Sequence, residues 1–406
     1  MTESIELTVQ SLRAYAPDHD HWGMAWSGGK DSSATLTLLV WLIKSGQVPA
    51  PRSLTVFYAD TRMELTPLAI AAAQIMDELR DLGITVHVVR APLDKRFLVY
   101  ILGRGVPPPN NNTLRWCTRQ IKIDPMGAAV AEFLDDLERR HNGGPTLDGA
   151  EPSHQKPFLM ITGVRQGESA MRDRRIEMSC SKDGAECGQG WYQKTLPDAK
   201  GVRGRIATLA PLLHWRVCHV WEWLKHWAPL AQYGDWSTAM IADAYGGDEA
   251  EEVNARTGCV GCPLASKDTA LETVLRNPAW AYLEPLTGLK PLYRELRLAK
   301  NRLRQPGGER RKDGSLAKNQ QRMGPLTFKA RLMGLERVLG IQAEVNAAAA
   351  RLGRPTIDLL DGEEEARIRE LIAAKTWPEG WTGEEPTADV PLPAYFADGT
   401  IQELLV

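Results

Sequence analysis

Short apolar runs alternate with amphipathic stretches over residues 5–89, and that alternation predicts a layered α/β unit. Met24, Ala25 and Trp26 read as a buried strand that breaks at Ser27-Gly28-Gly29 and passes into a helical pattern over Ala34–Ile43. Leu54–Tyr58 reads as a second buried strand. Helical periodicity over Pro67–Leu82 then places Leu68, Ala72, Ile75, Met76 and Leu79 on one face; Gly83 ends that helix, and Ile84–Val89 gives a third strand. A short helix over Ile5–Ala14 leads the chain. This order predicts a doubly wound, mostly parallel sheet. Ligands of such sheets bind beyond the carboxyl ends of the strands, which puts Ser27–Ser33 and Asp60–Glu64 on one rim.

Beyond residue 90 the pattern loosens. Pro107–Asn112 reads as a loop, Pro125–Arg140 as a helix, and His141–Lys156 as a Gly/Pro-rich connection. Phe158–Thr162 is a further buried strand, and Leu209–Leu213 precedes a Trp-rich helix over Val217–Trp227. From about Asp235 the chain reads as helical, interrupted at Cys259-Val-Gly-Cys262, and it ends Pro-rich and acidic. These shifts divide it into an α/β domain at 1–235, a mainly helical cysteine-containing and basic region at 236–345, and an acidic tail at 346–406.

Composition narrows the class. Hydrophobic residues at 43% and charged ones at 25% are those of a soluble globular protein. No apolar run approaches the roughly 20 residues that span a bilayer, and the first residues lack a signal-peptide pattern. A cytoplasmic location is expected, with no membrane partner. Six cysteines there point to metal binding or reactivity rather than disulfides. The net charge of −2 conceals a basic segment, Lys290–Arg337, which suits a polyanion.

Ser27-Gly-Gly-Lys-Asp-Ser32 carries the most specific chemistry. Glycines let the backbone approach a ligand, and the following helix aims its N–H groups and dipole at it, as suits a phosphate. Lys30 adds a point charge, and the Ser27, Ser32 and Ser33 hydroxyls add donors. Asp60, with Thr61 beside it, can hold Mg²⁺ against the phosphates; Asp31 is a second metal or phosphate-positioning candidate. After the Phe158–Thr162 strand, Arg165 and Arg172 can clamp a phosphate bidentately, with Gly163 as a further nucleotide-binding candidate at the strand's end.

Cys259-x-x-Cys262 is a chelating turn, and Cys180 and Cys187 supply a second pair. Four thiolates can hold zinc or a [4Fe–4S] cluster, and spacing does not choose between them. Cys117 stands among Arg115, Arg119 and Lys122, whose charges favour a reactive thiolate able to carry a persulfide; the alternative is that Cys117 replaces Cys180 or Cys187 as a ligand. Cys218, His214 and His219 read as packing or structural residues.

The loop resembles the pyrophosphate loop of the ATP pyrophosphatases. Together with Tyr58-Ala-Asp-Thr61 and Glu64, Arg115-Trp-Cys-Thr118 and Lys122, Thr162-Gly-Val-Arg165 with Glu168-Ser169, and Cys259-x-x-Cys262, its order resembles the PAPS-reductase-like sulfurtransferases of DNA phosphorothioation, the DndC and SspD types. The resemblance covers roughly residues 20–335. It implies an enzyme that uses ATP, Mg²⁺ and a [4Fe–4S] cluster to adenylate a DNA backbone phosphate and replace a non-bridging oxygen with sulfur. It implies as partners DNA, a cysteine desulfurase as sulfur donor and other phosphorothioation proteins, with Lys30, Asp31, Cys117 and Arg165 as catalytic residues. Two alternatives are a PAPS or APS reductase-like enzyme and a non-catalytic nucleotide-binding component of a defence system. The absence of any cysteine after Cys262 argues against thioredoxin-linked sulfonucleotide reduction.

Overall fold

The computed structural model describes all residues except 112–114, 143–155, 168–172, 175, 179–189, 195–201, 203, 248–257, 309, 311–312, 316, 320, 391, 396–399 and 403–406. Two compact units divide the chain. One takes Met1–Asp60, Glu64–Arg90 and Lys122–Gly258; the other takes Thr61–Met63, Ala91–Ile121 and Cys259–Val406.

The first unit is the α/β layer structure expected. After α1 (Thr2–Tyr15) come β1 (His21–Trp26), α2 (Lys30–Lys44), β2 (Ser53–Ala59), α3 (Thr66–Asp81) and β3 (Thr85–Val89). Then follow α4 (Asp124–Asn142), β4 (Phe158–Thr162), β5 (Trp191–Gln193), β6 (Ile206–Ala210) and α5 (Val217–Glu222). The six strands lie in the order β3-β2-β1-β4-β6-β5, and every pair is parallel except β5 with β6. The chain runs outward from β1 to β3, then resumes on the other side of β1 at β4. That reversal opens a crevice at the carboxyl ends of β1 and β4, the place where open α/β sheets take their ligands.

One face of β1 is fully buried (Trp22, Met24 and Trp26 are at most 1% exposed), and on the other Gly23 is buried while His21 and Ala25 are partly covered. α2 is covered on nearly every side, and its Thr37 hydroxyl accepts a bond from the Trp223 indole N–H at 2.9 Å. A helix so enclosed fixes its first turn rigidly over the crevice. Val130 and Leu134 of α4 pack with Phe57 and Phe158. Cys218, read above as a packing residue, is exposed instead; α5 turns Val220 and Trp221 inward. His219 is structural, its Nδ1 lying 3.0 Å from the Ser4 hydroxyl.

The second unit is mainly helical: α6 (Thr269–Arg276), α7 (Leu289–Leu296), α8 (Phe328–Leu352) and α9 (Gly362–Ala373), with a small hairpin of β7 (Ala394–Tyr395) and β8 (Ile401–Gln402). The basic segment is not one open face. Arg302 and Arg304 are buried, their guanidinium groups bonded to the carbonyls of Gly324 and Met323 and of Ala388 and Val390 respectively. Arg331 has no exposed surface; it bonds the Leu102, Gly103 and Thr376 carbonyls and lies 5.0 Å from the centre of the Trp377 ring. Burial lowers the pKa of both Arg302 and Arg331 to about 10, so each stays charged at neutral pH and acts as a multidentate cap for chain turns. Arg294, Lys300, Arg310, Lys318, Arg322 and Lys329 remain solvent-facing.

The acidic residues after 356 also have partners. Glu364 is 2% exposed and stands 3.2 Å from Arg62 and 3.4 Å from Arg96. Arg367 grips Asp94 with two bonds at 2.6 and 2.8 Å. No helix among the described residues is long and apolar enough to cross a membrane.

Candidate functional site

The crevice of the first unit is a cavity of about 600 Å³. Its wall begins where β1 stops. Gly28 takes a φ of +71°, a left-handed conformation that favours glycine, and Gly29 caps α2 in an extended one. Ser27, Gly29, Lys30, Asp31 and Ser32 line the cavity, and α2 starts at Lys30 with its first-turn N–H groups toward it. The loop is internally braced: the Ser32 hydroxyl donates to the Gly29 carbonyl at 3.1 Å and lies 3.1 Å from the Ser27 hydroxyl.

Thr162, Gly163 and Val164 form the opposite wall. Gly163 has no alternative: a Cβ there would stand 2.6 Å from the Ser32 Cα and 2.7 Å from its nitrogen. At Gly163 the loop after β4 meets the first turn of α2 backbone to backbone.

Charge is concentrated on Asp31. One of its oxygens accepts from Arg165 Nε at 2.5 Å and the other from Lys30 Nζ at 3.0 Å. Arg165, 5% exposed, is thus fixed from below rather than held in a surface ion pair. Lys122, Ile123 and Met126 complete the lining with Tyr245, whose hydroxyl accepts from the Lys30 backbone N–H at 3.3 Å. The Tyr245 ring centre lies 5.0 Å from Lys30 Nζ, a cation–π arrangement. Among the described lining residues Lys30 and Lys122 stand against the one carboxylate of Asp31, a balance that suits a phosphate chain.

Several expected ligands stand elsewhere. Ser33 is fully buried, its hydroxyl accepting from the Trp26 indole at 2.9 Å, so it braces α2 rather than lining the cavity. Asp60 is also outside the lining and pairs with Arg90 at 2.6 Å, because β2 ends beside β3 and hands its carboxylate to that neighbour. Thr61 lies in the second unit, and Arg172 outside the described residues. Both Asp31 oxygens and one Asp60 oxygen are engaged by cations. Among the described residues no three His, Cys, Asp or Glu side chains converge as ligands of a single metal ion. Tyr245 had no signal in the sequence: it is a lone aromatic in a short helical turn, far along the chain from the loop it serves.

The second unit gathers Cys117, Cys259 and Cys262. Cys259–Cys262 is a tight turn closed by the Cys262 N–H bonding the Cys259 carbonyl at 3.1 Å. Gly261 takes φ +62°, and a Cβ there would meet Leu289 at 2.7 Å. Beneath lies Tyr293, buried, its hydroxyl without a hydrogen-bond partner. Burial, then the fields of Cys259, Cys262 and Asp268, hold that phenol well above its ordinary pKa. Phe97 packs against both Tyr293 and Trp116, the neighbour of Cys117. The Cys117 thiol is pushed up, not down: burial is the largest influence and the nearby Cys262 adds to it, while bonds with Thr118 oppose both. The cations flanking Cys117 in sequence do not lower it. Cys180 and Cys187 lie outside the described residues.

These residues fit a thiolate-bound cluster. Cys259 and Cys262 lie near enough to the buried Tyr293 hydroxyl, and Cys262 to Cys117, for their fields to act on one another, and the irons of a cubane take their thiolates at separate corners rather than around one point.

No curated protein matches the chain. Among solved structures it is similar to the U34-tRNA thiolase NcsA from Methanococcus maripaludis with its [4Fe-4S] cluster, at 15% identity over 73% of this chain and 82% of that one. The TM-score of 0.30 makes that likeness too loose to assign chemistry. The family description of the phosphoadenosine phosphosulfate reductase domain matches residues 21–228, from the first residue of β1 to just past the Trp-rich helix. Spanning more than half of the chain and holding both walls of the crevice, that match places this protein in the phosphoadenosine phosphosulfate reductase domain family.

Proposed function

We propose that the chain is an ATP pyrophosphatase that adenylates a DNA backbone phosphate and takes part in replacing a non-bridging oxygen with sulfur. The observation that carries this is the cavity at the carboxyl ends of β1 and β4. It brings a Gly-Gly turn, a helix N-terminus, Lys30 and Lys122 to bear on one small volume, with Arg165 bonded to Asp31 behind it.

MgATP enters as substrate, its Mg²⁺ held chiefly by phosphate oxygens and water, since the protein carboxylates nearby are engaged. The α2 N–H groups and Lys30 bind the β and γ phosphates and stabilise the charge that develops on pyrophosphate. Asp31 is a positioning residue that keeps Lys30 and Arg165 aimed at the phosphates. A non-bridging oxygen of the acceptor attacks the α-phosphorus, and pyrophosphate leaves. The acceptor phosphorus is then bonded to AMP, a good leaving group. A persulfide's terminal sulfur, delivered by a cysteine desulfurase, attacks it; AMP departs with the oxygen, and a thiol reductant cleaves the remaining S–S bond.

Cys117, Cys259 and Cys262 are the described residues that would hold a [4Fe–4S] cluster. Bound there, the cluster would supply sulfur-handling and redox capacity.

A second reading, reduction of a small sulfonucleotide, has the family membership in its favour. The lack of a cysteine after Cys262 stands against it. Mass spectrometry of a DNA oligonucleotide incubated anaerobically with the chain, MgATP, desulfurase and cysteine separates the two. A phosphorothioate linkage is expected. Release of sulfite from PAPS with an unmodified oligonucleotide would overturn the proposal.

A further inference from the structure

A second hollow, of about 500 Å³, opens in the helical unit beside the cysteine turn. Lys290 and Arg294 of α7, and Arg297 just after it, share it with Ser266, Asn111 and Leu264. No carboxylate among the described residues lines it. The bonds of the three cations go to neutral carbonyls: Lys290 to Cys262 at 3.1 Å, Arg294 to Ser266 at 3.0 Å, and Arg297 to Pro263 at 3.1 Å as well as to Pro108 and Pro109. Arg294 and Arg297 lie close enough to oppose each other's charge. The acid whose field reaches Lys290 is Asp268, already held by the backbone N–H groups of Gly261 and Leu271.

Like charges brought together in a cavity without a counter-ion are expensive to hold, and an anion relieves them. The volume is that of a nucleotide-sized ligand rather than of one inorganic ion. The Pro263-Leu264-Ala265 wall gives a sugar or base an apolar surface beside the cations.

We propose that this hollow docks a phosphodiester of a nucleic-acid strand, with Arg294 as its solvent-facing clamp and Lys290 and Arg297 as fixed charges behind it. The assignment deepens the sulfurtransferase reading and rests on it for its role, presenting the polymer alongside the cysteine centre of the same unit. Arg294 is the residue to change. Only its bond to the Ser266 carbonyl ties it down, whereas Arg297 also holds the chain at 108, 109 and 263.

The test is fluorescence anisotropy of a labelled single-stranded DNA oligonucleotide and its RNA counterpart across a salt series, with inorganic phosphate as competitor. Arg294→Gln should weaken oligonucleotide binding about tenfold and reduce the salt slope by about one. Arg294→Lys should keep affinity within about threefold, since it preserves the charge. Ser266→Glu, which places an anion in the hollow through an exposed side chain, should weaken binding about as much as Arg294→Gln. MgATP affinity should be unchanged in all three. DNA bound more tightly than RNA, or the reverse, identifies the source of the strand, and either order supports the site. Oligonucleotide binding that is identical in Arg294→Gln, Ser266→Glu and wild type would overturn it. So would binding of inorganic phosphate without the oligonucleotide. Pyrophosphate release from ATP is followed in the same samples. Its absence from the wild type would count against adenylation alone and leave the docking result standing.

Discussion

At Gly163 one methyl group decides whether the loop after β4 can lie against the first turn of α2. The atoms it would strike are the backbone of Ser32, which cannot rotate away. Gly163→Ala should therefore cost about 1–3 kcal/mol of stability, the range for overpacking a tight site. Because the displaced turn is the one facing the phosphates, MgATP binding should fall at least tenfold. Calorimetric titration and thermal unfolding check both; a variant that melts and binds as wild type would show that the two loops do not touch as described. At this scale the site was partly legible. Gly28, Gly29, Lys30 and Arg165 announce themselves because their residue types serve a phosphate wherever a strand passes into a helix. Ser33 does not, since a hydroxyl one residue further round the helix faces the core, where Trp26 needs an acceptor. The Cys117 environment was misread for a related reason. Charges adjacent in sequence count for less than the burial that the fold imposes.

Among the elements, α9 shows how the acidic end of the chain is used. Asp361 and Glu364 close a reciprocal cap, the Glu364 N–H donating to Asp361 at 2.8 Å and the Asp361 N–H to Glu364 at 3.1 Å. The same Glu364 carboxylate faces Arg62 and Arg96 while almost fully buried. Glu364→Gln keeps the shape and removes the charge. It should cost about 2–3 kcal/mol, below the usual 3–5 for breaking a buried pair because Asp361 and Asp358 still face Arg62. A urea unfolding midpoint unchanged from wild type would contradict this. The strands and helices of the first unit were readable because each is a continuous periodic run whose partner lies in the same layer. The functions of charged elements were not. Arg302, Arg304 and Arg331 look like polyanion ligands in a list of residues, yet each is committed to carbonyls that only the folded chain brings within reach.

At the level of the whole molecule, the chain holds two kinds of chemistry in separate compact units. One is a cationic cavity at the switch point of a parallel sheet; the other is a group of three cysteines with a cationic hollow beside them. Under the proposed function the first cavity splits ATP between its α and β phosphates. Phosphorus NMR of MgATP incubated with the chain and a DNA oligonucleotide tests it most directly. The account predicts AMP and pyrophosphate as products, with the rate falling about 100-fold in Lys30→Ala, the loss expected when one preorganised charge is removed from a developing anion. ADP with inorganic phosphate, or ATP retained intact at one equivalent per chain, would contradict it.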